Sequence, residues 1–189
     1  MNNICVAFNG PPGIGKDTQV DLILRTQASE GQVARLTLAH MIRGMAAEHY
    51  GIPNFFDLST DRKTKDTYYE PLGMTPRQAL IEYSEEVIKR RLGRDYFAKR
   101  FAAEAAKHRV SLMTDLGFPE EAAELVKVMD LLIIVQLHHP EFNFDNDSRE
   151  YVNDSNAIVI RHNLDRGNPE RDAYLINQKL VNAIEEKFR

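Results

Sequence analysis

The feature that most constrains the fold of this chain is a glycine-rich turn between an apolar run and a helix-like segment. The apolar run covers residues 4–8, and the turn follows over residues 9–16 with the sequence NGPPGIGK. Glycines let backbone N–H groups face a bound anion, and the N terminus of a helix favours negative charge. The sequence therefore predicts a strand, a phosphate-binding loop and a helix. The expected loop residues are Gly10, Gly13, Ile14, Gly15 and Lys16.

The turn matches the pattern G-x-x-x-x-G-K-[ST] except at its last position, where Asp17 stands in place of a hydroxyl residue. Lys16 is expected to contact the β- and γ-phosphates, and Thr18 offers a hydroxyl one position later. A carboxylate beside a triphosphate is repelled unless a cation intervenes. We therefore interpret Asp17 either as a magnesium ligand or as a charge at the N terminus of the helix.

Further apolar runs of strand length begin near residues 33, 110, 131 and 157, and helix-like segments separate them. The first helix is expected to run to about Ser29. Strands that alternate with helices predict a parallel sheet covered on both faces, with ligands beyond the carboxyl ends of its strands. We expect one domain over residues 1–189, with a helical region over 39–108. A polar loop over 138–156 is interpreted as a lid.

Composition excludes several classes of function. The formal net charge of -4 argues against a general nucleic-acid binder, and no apolar stretch reaches the ~18 residues of a membrane span. Cys5 is the only cysteine, so it cannot form an internal disulfide, and we expect a buried, unreactive thiol. The sequence thus predicts a cytoplasmic protein that binds neither nucleic acid nor membranes.

Residues 10–19, GPPGIGKDTQ, resemble the adenylate kinase loop, in which the residue after the lysine also carries no hydroxyl. The GKDT form is similar to that of bacteriophage deoxynucleoside monophosphate kinases. The resemblance implies a three-layer α/β/α P-loop kinase fold, with a five-stranded parallel sheet, a helical acceptor-binding insertion and a lid loop. It also implies phosphoryl transfer from ATP, with Mg²⁺, to a (deoxy)nucleoside monophosphate. By analogy with the phage enzymes, the chain is expected to form a homodimer.

Two further segments carry the resemblance. The segment TLAHMIR, residues 37–43, is similar to the adenylate kinase segment that implies Arg43 as a ligand of the acceptor phosphate. A solvated helix arginine is the other interpretation of Arg43. The segment TDLGFPEE, residues 114–121, resembles a motif that implies Asp115 as a magnesium-orienting carboxylate, together with Asp17 and Thr18.

Both families place an arginine in this last motif, whereas this chain has Gly117 and Glu120 at the two candidate positions. Another arginine must supply that charge. We consider Arg77, which resembles a residue of the phage acceptor region, a cluster over residues 89–94, and Arg149. We interpret Arg77 as a second acceptor ligand and Arg149 as a lid arginine that closes over the phosphates.

Two alternatives stay open. The chain could be a P-loop kinase for another small acceptor, such as dephospho-coenzyme A or a sugar acid. It could also bind ATP without catalysis, since the motif around Asp115 lacks its arginine. The sequence does not name the nucleobase.

Overall fold

Five strands form one parallel sheet, and they are β1 (Ile4–Asn9), β2 (Val33–Leu36), β3 (Val110–Leu116), β4 (Leu131–His138) and β5 (Ile158–Asn163). Their order across the sheet is β2-β3-β1-β4-β5, so β1 is the central strand. The structure is a computed structural model that describes residues 2–26, 33–145 and 147–189. The five-stranded parallel sheet confirms the predicted α/β fold class.

The α-helices are α1 (Lys16–Thr26), α2 (Leu38–Tyr50), α3 (Phe55–Thr60), α4 (Pro76–Glu82), α5 (Arg90–Leu92), α6 (Tyr96–Ala105), α7 (Pro119–Val128) and α8 (Pro169–Phe188). A 3₁₀-helix covers Glu70–Leu72 and a π-helix covers Tyr83–Lys89. The end of α1 predicted at Ser29 lies outside the described residues. In the part of the chain that the structure describes, no helix combines the length and apolarity that a membrane crossing requires.

The chain divides into two units, Met1–Thr37 with Ala102–Arg189, and Leu38–Phe101. The first unit contains the sheet. Alternate side chains of β1 and β4 pack in one apolar cluster with side chains of α1 and α8, among them Phe8, Ile133, Val20 and Ile176. Because strand side chains alternate between the two faces, this cluster identifies the face that these helices cover. Cys5 is fully buried, as predicted, and burial raises the pKa of its thiol to about 12.

The carboxyl ends of three neighbouring strands meet in the first unit. Asn9, the last residue of β1, is in register with Leu116 on β3 and with Gln136 on β4. The loops that follow these strands therefore begin side by side, at the edge where parallel sheets bind ligands.

The second unit is helical, and its best-defined helix start is that of α4. The Thr75 side chain accepts from the Gln78 N–H, and the Gln78 side chain accepts from the Thr75 N–H, which is a capping box. The helix continues through the π-helical turns and ends at Gly93, whose φ of 99° suits glycine. The sequence analysis did not predict α3, because its segment carries a polar and irregular pattern.

Candidate active site

The loop after β1 has the backbone geometry of an anion cradle. Gly13 and Gly15 have φ values of 75° and 108°, in the region that favours glycine. At Gly10, a Cβ atom would lie 3.0 Å from the Leu137 carbonyl oxygen, so the close approach of β4 excludes a side chain there. Ile14 packs into the apolar core. These contacts explain why the loop needs glycine at these positions and an apolar residue between them.

Lys16 is the first residue of α1, and its side chain reaches back over the loop. Its Nζ donates to the carbonyl oxygens of Gly10 and Pro11, at 2.6 and 2.9 Å. The residue is buried, and burial lowers the pKa of its ammonium group to about 8, with the positive charge of Arg149 as the next cause. Among the described residues, the hydrogen bonds of this desolvated cation go to neutral carbonyls, which suits it to an incoming anion.

The loop after β3 is held by a buried carboxylate. Glu121, in the first turn of α7, accepts from the N–H groups of Gly117 and Phe118 through one oxygen, at 2.8 and 3.1 Å. Burial raises the pKa of the Glu121 carboxyl to about 7, and the two backbone bonds and the nearby Asp115 charge modify it further. Asp115 itself is half-buried and acts electrostatically on Lys16, Arg149 and Glu121.

Arg149 is brought to this site by the long segment between β4 and β5. Its Nε and one terminal nitrogen donate to the two carboxylate oxygens of Asp147, at 2.7 and 2.6 Å. This bidentate pair lowers the pKa of the Asp147 carboxyl to about 2. The side chains of Arg149 and Asp147 are 29% and 18% exposed, so the pair is much less solvated than a surface ion pair.

A buried amide anchors the segment that carries Arg149. The Asn9 side chain donates to the carbonyls of Leu116 and Glu150 and accepts from the Val152 N–H, at 3.0, 3.1 and 2.9 Å. The residues that directly follow Arg149 are thus fixed to the sheet. In this structure Arg149 belongs to an anchored stretch, whereas the sequence analysis interpreted it as part of a lid that closes.

Asp17 lies in the first turn of α1 and pairs with Arg35. The two are 2.6 Å apart, and Arg35 also bonds to Asp21. Of the two roles proposed for Asp17, this arrangement supports the helix N-terminal charge. Its role as a magnesium ligand stays a prediction, and that role requires the pair with Arg35 to open.

Thr18 lines a cavity of about 210 Å³ between the phosphate loop and the segment after β5. The opposite wall includes Asp165, Arg166 and Asp172. Asp172 is buried, accepts from the Asp165 N–H at 2.8 Å, and lies 2.8 Å from Nε2 of His162 on β5. This network fixes the wall of the cavity to both β5 and α8.

The two predicted acceptor ligands lie in the second unit. Arg43 is half-buried on α2. Arg77, at the start of α4, makes an ion pair with Asp66 at 2.5 Å, and both side chains are 53% exposed. A phosphate would therefore compete with Asp66 for the Arg77 guanidinium.

The described residues include no group of three or more His, Cys, Asp or Glu side chains arranged for a metal ion. Magnesium in phosphate-transferring sites is commonly held by one or two carboxylates together with substrate phosphates. The Asp115 carboxylate, whose charge acts on Lys16, suits that donor set. The glycine cradle and Lys16 likewise suit the phosphates of ATP.

No protein-family model matches the chain, and no curated protein matches it by sequence. By structure, it is similar to the APS kinase CysC of Mycobacterium tuberculosis, solved in complex with AMPPNP and APS. The similarity covers 97% of this chain and 98% of that chain, with 17% sequence identity and a TM-score of 0.53. The chain has a P-loop kinase fold. At this identity, the similarity establishes the fold and nothing finer.

Sequence reasoning missed Asp147, Asn9 and Arg35 as partners of the predicted site residues. Asn9 carried a usable signal, because it is the polar end of an otherwise apolar strand. Asp147 and Arg35 carried no such signal, since charged residues are common in loops and edge strands.

Proposed function

We propose that this chain transfers a phosphoryl group from ATP to a (deoxy)nucleoside monophosphate, giving ADP and the diphosphate. The observation that carries the proposal is the buried Lys16 ammonium inside a glycine cradle, with Asp115 and Arg149 close enough to influence its pKa. Phosphoryl transfer depends mainly on positioning and on charge stabilisation, and these residues supply both.

In this proposal, the N–H groups of the loop and Lys16 bind the donor phosphates. Arg149 adds a second positive charge to the same site. Thr18 and Asp115 would hold Mg²⁺, with Asp17 as the further predicted ligand, and the ion would neutralise phosphate charge. The cavity beside Thr18 is suited to the nucleoside part of the donor, because it adjoins the phosphate loop.

Arg43 and Arg77 are the proposed ligands of the acceptor phosphate. Arginine is suited to this role because its planar guanidinium bonds two phosphate oxygens at once. The bidentate contact of Arg77 with the Asp66 carboxylate shows the same geometry toward another anion. We further propose a cytoplasmic location, which agrees with a single cysteine, and a homodimer by analogy with the phage enzymes.

A second candidate function is a P-loop kinase for another small acceptor. The similarity to a kinase solved with APS favours it, since that protein shares the fold and is named for a different acceptor. Dephospho-coenzyme A and sugar acids are further acceptors of this class. A protein that binds ATP without catalysis is the remaining alternative.

The test is to incubate the purified protein with Mg-ATP and, separately, each ribo- and deoxyribonucleoside monophosphate, APS and dephospho-coenzyme A, and to follow ADP formation. ADP that forms only with certain monophosphates is the expected result. ADP that forms only with APS or dephospho-coenzyme A would replace the proposed acceptor. If no acceptor yields ADP while ATP still raises the melting temperature, the chain is a nucleotide binder. The absence of both effects would refute the proposal.

A further inference from the structure

Gly117 lies buried directly beneath the side chain of Arg149. A Cβ atom at Gly117 would come within 2.5 Å of Cδ and 2.8 Å of Cγ of Arg149. Carbon atoms in proteins pack at about 3.5–4.0 Å, so Arg149 cannot keep this position above any other residue type.

The backbone does not explain why this position is glycine. The φ of Gly117 lies outside the left-handed region, unlike those of Gly13 and Gly15 in the phosphate loop. Its φ therefore sets no requirement for glycine. The glycine is therefore required by the space that the stem of Arg149 occupies.

The rest of Arg149 is held on either side of this contact. Asp147 binds the guanidinium through both carboxylate oxygens. The Asn9 amide donates to Leu116, the residue before Gly117, and to Glu150, the residue after Arg149. One side chain thus joins the two segments at the point where Arg149 crosses Gly117.

The position of Arg149 matters to the site because the anchor of its segment adjoins the phosphate loop. Asn9, whose amide donates to the Glu150 carbonyl, directly precedes Gly10, whose carbonyl accepts from Lys16. Arg149 and Lys16 are therefore two cations at the same edge of the sheet, and Asp147 is the bidentate partner of Arg149 there. A polyphosphate in the glycine cradle is a further anion that suits both cations.

We propose that Gly117 is a positioning residue for Arg149. Its lack of a side chain lets the arginine lie across the loop after β3, and this directs the guanidinium to a bound polyphosphate together with Lys16. The inference rests on the proposed function to the extent that the polyphosphate is that of ATP. Arg149 then supplies the additional positive charge of the site, and the position of that charge depends on residue 117.

A double-mutant cycle tests the inference with Gly117→Ala, Arg149→Ala and the double variant. The Mg-ATP dissociation constant is measured by titration calorimetry, and the urea-unfolding midpoint is measured without nucleotide. We expect Gly117→Ala to weaken Mg-ATP binding about 10-fold in the wild-type background and to have no further effect when Arg149 is already alanine. The unfolding midpoints should show coupling in the same sense, because the steric conflict needs both side chains.

Gly44→Ala is the matched control. Gly44 lies within α2, and a Cβ atom there would meet no described atom within 4 Å. Its substitution measures how replacing glycine by alanine affects the entropy of the unfolded chain. The double-mutant cycle cancels the same effect at Gly117. We expect Gly44→Ala to leave the Mg-ATP dissociation constant unchanged.

Two results would overturn the inference. One is an equal loss of Mg-ATP affinity from Gly117→Ala in both backgrounds, which would mean that the glycine serves the loop itself. The other is coupled unfolding midpoints with unchanged Mg-ATP affinity, which would mean that the position of Arg149 does not matter to the site. A wild-type protein that binds Mg-ATP but phosphorylates no acceptor would refute the proposed transfer reaction, and the cycle could still be measured. A wild-type protein that does not bind Mg-ATP would overturn both.

Discussion

The loops after β1 and β3 begin at neighbouring positions on the same edge of the sheet, but they are built in different ways. The loop after β1 takes its cradle and its cation from consecutive residues, ending at Lys16. The end of β3 supplies Asp115, whereas Arg149, the cation on which its charge acts, comes from a distant part of the chain. One site can thus combine a motif of consecutive residues with a second group of residues that come from separate segments and meet only in the folded chain.

The difference also affects how each loop is stabilised. Positive-φ glycines and a close approach to β4 shape the first loop. The second loop depends on side-chain hydrogen bonds: the Asn9 amide donates to the Leu116 carbonyl, and Glu121 accepts from the N–H groups of Gly117 and Phe118. We therefore expect substitutions in the first loop to affect chemistry most, and substitutions around the second to affect stability as well.

The largest effect is expected from Lys16→Ala. Phosphoryl transfer should fall by at least ~100-fold without loss of folding, because a charge contact to the transferring phosphates is removed. Steady-state ADP formation measures the effect, and circular dichroism checks the fold. The control is Lys127→Ala, since Lys127 is exposed on α7 and pairs with Glu124. Near-wild-type transfer by Lys16→Ala would show that the loop after β1 is not part of the active site.

The second-largest effect is expected from Asn9→Ala, which should loosen the segment that carries Arg149 from the ends of β1 and β3. It removes three hydrogen bonds and leaves the Val152 N–H and the Leu116 and Glu150 carbonyls without this partner. We expect a loss of about 2 kcal/mol in the free energy of unfolding, measured with urea, and faster hydrogen exchange at the Val152 amide. Asn156→Ala, in an exposed loop, is the control. Unchanged protection of Val152 would show that the segment carrying Arg149 is anchored by other contacts.

Glu121→Gln tests how ionisation of the Glu121 carboxyl, which holds the loop after β3, changes protein stability with pH. The folded-state pKa of about 7 lies above the ordinary value of 4.5, so the folded protein keeps a proton that the unfolded chain has lost. The contribution of Glu121 to stability is therefore fully present below pH 4.5 and is lost as the pH rises to about 7.

We expect the wild-type protein to lose stability relative to Glu121→Gln across this window, by at most about 1.4 kcal/mol per pH unit. Urea unfolding of both proteins between pH 4.5 and 7.5 measures the difference. Parallel stability profiles would mean that the carboxyl titrates alike in both states. The amide of the variant retains an oxygen that can accept from the Gly117 N–H, so the comparison isolates the charge.

The smallest effect is expected from Arg35→Ala. The Arg35 side chain is 36% exposed, and the Asp17 and Asp21 side chains are 70% and 46% exposed, so solvent screens these pairs. The free energy of unfolding should change by less than about 1 kcal/mol. A loss as large as that of Asn9→Ala would show that the first loop also depends on side chains from elsewhere.

Much of the fold could be predicted because its signals are local. Apolar runs of strand length marked all five strands. The exact ends of the strands were harder to predict from the sequence. The structure continues β3 to Leu116 and β5 to Asn163, where polar residues interrupt the apolar pattern but pairing with neighbouring strands maintains the ladder.

The sequence by itself determined the α/β architecture and the phosphate loop, because both depend on consecutive residues and on the spacing of glycines. Only the tertiary structure decided which arginine acts on Lys16, that Asp17 pairs with Arg35 and Arg149 with Asp147, and why Gly117 lacks a side chain. The physical reason is that charge and volume act through space. Arg149 lies over Gly117 where Asn9 joins the ends of β1 and β3 to the segment before β5.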